Sequence, residues 1–70
     1  MFFNNNHNYS LVLVNGPRRV DEVYQSRNAA NDRMYKLLGE LGLRIEKIYD
    51  DKHDKTYICH DGSHFHINRI

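Results

Sequence analysis

Between Ser26 and Gly42 the apolar residues fall at Ala30, Met34, Leu37, Leu38 and Leu41, which are separated by four, seven, eight and eleven positions from the first. At 3.6 residues per turn these positions share one face, so the segment predicts an amphipathic helix. Ser26 stands before it with a side chain able to accept from the first free amides. Gly42 stands after it, where a left-handed residue ends a helix. On both sides the period shortens to two. Residues 9–14 and 20–24 read as two strands of a hairpin, and residues 43–49, 55–60 and 63–68 as three more. The order is β-β-α-β-β-β, an α+β fold in which a small antiparallel sheet packs against one amphipathic helix. Residues 9–70 make a single domain, and the Asn-rich residues 1–8 read as a flexible N-terminal segment that Phe2 and Phe3 can anchor.

Turn chemistry sets the expected registers. Asn15-Gly16 is a hairpin dipeptide, but Pro17 cannot donate to a ladder, which leaves a tight two-residue turn and a longer loop through Arg18 both open. Asp61-Gly62 is a second hairpin dipeptide. Taken as a two-residue turn, it sets Cys59 opposite His64 and Tyr57 opposite His66. Alternation then gives one face to Thr56, Ile58, His60, Ser63, Phe65 and Ile67, and the other to Tyr57, Cys59, His64 and His66. Pairing Asp50 with Lys55 adds Ile45 and Tyr49 to the first face. That face is the expected core side.

The second face holds the main candidate chemistry. Cys59, His64 and His66 form C-x4-H-x-H, and three such ligands with water suit an open tetrahedral zinc site; His53 is a conceivable fourth ligand. The paired spacings of structural zinc motifs are absent, so no metal and no cofactor is expected, and a small zinc-binding or nucleic-acid-binding domain using this Cys/His face is the alternative. A Cys59 nucleophile with a histidine base lacks a readable third residue or oxyanion donor, and the chain reads as non-enzymatic. Tyr57 on the same face is an interface candidate.

Charge changes the picture modestly. Ten Lys and Arg against nine Asp and Glu leave +1, without the basic excess of a protein that reads phosphates, so direct nucleic-acid binding is not expected. Acids gather late in the chain at Glu46, Asp50, Asp51, Asp54 and Asp61, interleaved with Lys47, Lys52 and Lys55. Such a cluster can imitate a phosphate track in the groove of a DNA-binding protein. With Tyr57 these acids are the expected partner-binding set. Arg18 and Arg19 stand beside the first turn, where guanidinium groups can grip phosphate or an acidic partner; the glycine spacing and Lys-Ser/Thr pair of a P-loop are missing. One cysteine among seventy residues rules out an intrachain disulfide and points to a reducing compartment. No apolar run approaches the ~20 residues of a membrane span, and the N-terminus lacks the basic start and cleavage site of a signal peptide, so the expected location is the cytoplasm.

The Met1-Phe2-Phe3 start, the asparagines that follow, the length of 70 residues and a compact fold without a catalytic signature resemble the short early host-takeover proteins of tailed bacteriophages. That resemblance implies a protein that binds one larger host protein and blocks it, sometimes by covering a nucleic-acid site, in the host cytoplasm. It carries over no residue roles. A homodimer is also compatible with so small a domain, because an exposed sheet edge invites pairing.

Overall fold

A computed structural model describes residues 8–70. The expectations for residues 1–7, a flexible segment with Phe2 and Phe3 as anchors, lie outside the described residues. Six elements follow in the expected order: β1 (Tyr9–Asn15), β2 (Arg18–Tyr24), α1 (Arg27–Leu41), β3 (Ile45–Asp50), β4 (Asp54–Cys59) and β5 (His64–Arg69). All strands are antiparallel neighbours in one sheet, ordered β2-β1-β5-β4-β3. The terminal strand thus inserts at the centre, and β2 and β3 form the two edges. The fold is α+β, one helix on a five-stranded sheet.

The helix has both of the caps that its sequence calls for. Ser26 is extended at φ −148° and its hydroxyl accepts from the Ala29 amide at 3.1 Å. Gly42 takes φ 65°, which lets the Leu43 amide turn back onto the Leu38 carbonyl at 2.9 Å. Ala30, Met34, Leu37 and Leu38 are buried, and Leu41 packs at the rim. They meet Leu11 and Leu13 of β1 and Phe65 and Ile67 of β5, the fully buried centre of the core. The helix lies along β1, β5 and β2 and does not extend over β3 or β4.

The first hairpin closes by the tight turn. Asn15 pairs with Arg18, leaving Gly16 and Pro17 as the two loop residues, with Gly16 at φ 59°. Glycine supplies the positive φ at the first position and proline the fixed negative one at the second, where no ladder amide is needed. Arg18 and Arg19 therefore belong to β2 and not to a loop tip.

The last hairpin departs from the expected register by one residue. Ile58 pairs with His64, Tyr57 with Phe65 and Thr56 with His66. Three residues, His60 to Gly62, make the loop: the Cys59 amide bonds the Ser63 carbonyl at 2.7 Å and Gly62 adopts φ 91°. A slip of one residue exchanges the faces of β4. Tyr57 and Cys59 go into the core, whereas Thr56, Ile58 and His60 leave it, which correctly keeps Phe65 and Ile67 inside but reverses the assignment of their neighbours. The physical reason is burial. The observed register hides an aromatic ring and a thiol, and the two-residue turn would have hidden Ile58 only together with a threonine and a histidine. Asp50 pairs with Lys55 as expected, so Tyr49 follows Thr56 onto the helix-free face. A bulge at Glu46 returns Ile45 to the core side opposite Cys59.

Candidate functional site

The β3–β4 hairpin projects beyond the helix and collects the most unusual surface of the described residues. Along β3 the sequence Ile48-Tyr49-Asp50 alternates across the sheet, so Ile48 stands on the helix side and Tyr49 on the other. With no helix above β3, Ile48 is 54% exposed and Tyr49 58% exposed. Asp50, Asp51 and Asp54 surround them at the hairpin end. Together with Thr56 these five residues line an open cavity of about 400 Å³.

Local hydrogen bonds shape this end. The Asp51 carboxylate accepts from the Lys52 amide at 2.7 Å, and the Asp51 amide donates to the Asp54 carbonyl at 2.8 Å. His53 ties the loop to the end of β5: its carbonyl accepts from the Arg69 amide at 3.1 Å, and its ring nitrogen lies 3.0 Å from the Arg69 guanidinium. Lys55 approaches Asp50 at 3.5 Å and sits over the Tyr57 ring at 5.8 Å, so it neutralises only the helix-side carboxylate. Asp51 and Asp54 are exposed, with no lysine or arginine bridging them among the described residues.

The expected partner-binding set is only partly brought together. Asp50, Asp51 and Asp54 converge. Glu46 stands at the opposite end of β3, roughly 13 Å away at strand spacing. Asp61 lies in the β4–β5 loop at the other end of the sheet, where it accepts from the Ser63 amide at 2.9 Å and from Asn15 at 3.5 Å. The Ser63 contacts hold its carboxyl below the usual range. Tyr57 is 4% exposed within the core and is not a surface residue. Ile48 was not singled out from sequence; its signal was the Asp50–Lys55 pairing, which places it opposite Tyr57 beyond the span of a 15-residue helix.

The alternative metal trio is taken apart by the register. His64 and His66 remain on the helix-free face with ring centroids 5.0 Å apart, but Cys59 faces the core on the reverse side. The His66 ring bonds Thr56 at 3.0 Å, and burial, His64 and Arg19 together lower its pKa. His53 sits at the far end of β5 from His64. Among the described residues no group of three or more His, Cys, Asp or Glu is arranged to hold a metal ion. Burial, followed by the charges of Asp61 and Glu46, pushes the Cys59 thiol up, the opposite of the shift that activates a nucleophile. Among the described residues no helix is long and apolar enough to cross a membrane.

No family model, curated protein or solved structure is significantly similar to this chain.

Proposed function

We propose that this chain is a non-enzymatic module that docks on a larger host protein through the β3–β4 hairpin and inhibits it, in the cytoplasm of that host. One observation carries the reading: two large apolar residues, Ile48 and Tyr49, are more than half exposed on the two faces of the hairpin end and line an open cavity together with three carboxylates. Exposed apolar groups ringed by charge are the makings of an interface, with an aromatic anchor at its centre and a polar rim that sets orientation. The complementary partner surface is an apolar socket edged by arginine or lysine. The groove of a DNA-binding protein has that chemistry, and the Asp51 and Asp54 carboxylates would occupy phosphate positions in it. The hairpin's lysines limit the field, so apolar contact is the larger contribution and charge the orienting one.

The reading is tested by affinity capture from a bacterial lysate with three baits: the native chain, Tyr49→Ser, and the triple change of Asp50, Asp51 and Asp54 to asparagine. The native chain is expected to retain one predominant protein that neither variant retains. The substituted positions are exposed, so circular dichroism should show all three baits folded. Capture of nothing by the native chain, or equal capture by all three, overturns the proposal.

A further inference from the structure

β2 is an edge strand whose charges are a mirror of themselves. It begins Arg18-Arg19-Val20-Asp21-Glu22, two bases and two acids disposed evenly about one valine. Only β1 pairs with it among the described residues, so its outer row of backbone donors and acceptors has no strand beside it. We propose that this edge pairs with the β2 of a second copy, antiparallel about a two-fold axis through Val20, to form one continuous ten-stranded sheet.

The register follows from symmetry. A two-fold axis normal to the sheet keeps each face on its own side, so a strand residue can sit only opposite a residue of the same face. With Val20 on the axis, Arg19 lies opposite Asp21 of the second copy and Arg18 opposite its Glu22, each pair occurring twice. Val23, 58% exposed, lies opposite Pro17 of the second copy, which joins two exposed apolar groups. Moving the axis by one residue destroys the match: Arg19 or Asp21 would then face itself. Within β3 no axis gives opposite-charge pairs: one on Lys47 sets that lysine against itself, one on Ile48 sets Glu46 against Asp50, and one on Tyr49 sets Ile48 against Asp50.

The side chains are free to make these pairs. Arg19 and Asp21 now touch each other at 3.4 Å within one strand, with side chains 62% and 57% exposed, a contact of little strength in water. Glu22 receives both the Tyr24 hydroxyl and the Arg33 guanidinium, at 3.1 Å, on the same oxygen, Oε1. Its Oε2 remains for Arg18, which is exposed and makes no ion pair among the described residues. Because β2 and β3 are opposite edges, such a dimer leaves both β3–β4 hairpins at its outer ends, roughly 40 Å apart at ordinary strand spacing. The pairing does not depend on the proposed function of those hairpins.

A charge swap tests it on the purified full chain, with no partner present. Sedimentation equilibrium should find the native chain in a monomer–dimer equilibrium. Arg19→Asp and Asp21→Arg each place two like-charge pairs across the axis and should weaken self-association at least about tenfold. Mixed in equal amounts, the two variants restore both pairs and should form a heterodimer with native-like affinity. A native chain that stays monomeric overturns the proposal. So do single variants that dimerise undiminished, or a mixture that fails to recover association. Hydrogen exchange gives a readout without substitution: the β2 amides directed away from β1 should gain protection as native concentration rises, and amides indifferent to concentration would also sink the idea.

Discussion

Cys59 is 2% exposed and shares the core with Tyr57, Phe65 and Ile67. A thiol so placed reacts only when the structure opens around it, and burial also keeps it protonated. A disulfide reagent such as DTNB should therefore label Cys59 orders of magnitude more slowly in the native chain than in urea. Rapid native labelling would show β4 turned over, with the thiol on the helix-free face. His66 offers a second readout. Its folded pKa lies below the ordinary histidine value, through burial first and then the charges of His64 and Arg19. Well above about pH 6.5 both the folded and unfolded rings are uncharged. As pH falls below about 6.5 the unfolded chain takes up a proton that the folded one resists, so stability declines through that window until the folded ring also protonates. Urea midpoints measured from about pH 7.5 down to 5.5 should fall in the native chain and fall less in His66→Gln. Asp61 and Glu22, whose pKa values are lowered, cost stability at a more acidic stage, so the two windows separate.

The elements were legible wherever local rules act alone. The helix stripe, its Ser26 cap and its Gly42 terminus follow from spacing and backbone chemistry, and all are present as expected. Ser26→Ala should lower stability by about 1 kcal/mol by orphaning the Ala29 amide. Gly42→Ala should cost a similar amount, roughly 1 kcal/mol, because a side chain at φ 65° is strained even where space is open. Chemical denaturation of both variants checks these values, and a Gly42→Ala chain as stable as the native one would refute the cap. The last hairpin was legible in existence but not in register. Asp61-Gly62 suits a two-residue turn and a three-residue loop with glycine left-handed at its third position, and nothing nearby in sequence chooses between them. The choice is made by Tyr57 and Cys59, which join Phe65 and Ile67 in the core only in the longer loop. The expected partner-binding set was split accordingly: Asp50, Asp51 and Asp54 lie together at the hairpin end, whereas Glu46, Tyr57 and Asp61 lie elsewhere.

Across the whole molecule the decisive feature is the sheet order. Inserting β5 between β1 and β4 puts the two chain-early strands at one end of the sheet and the hairpin of β3 and β4 at the other. One helix covers β1, β5 and β2, so the far hairpin is left with apolar residues that nothing in the described chain covers. The two edges differ in kind: β2 is self-complementary in charge, and β3 is not. A pull-down addresses the hairpin and a charge swap addresses β2, so the failure of one leaves the other standing.

What the amino-acid sequence determined by itself was everything governed by neighbours within a turn or two: the number and type of elements, the helix face, both caps, the tight first hairpin as one of two options, and the absence of an intrachain disulfide. What only the tertiary structure decided was which way β4 faces, where β5 inserts, and which acids meet. Those outcomes depend on burial shared among residues far apart in sequence, where one extra loop residue exchanges the inside of a strand for its outside. The helix pattern survived because its period is local. The Cys/His face dissolved because its period of two was anchored to a turn, and the core, not the turn, had the larger free energy at stake.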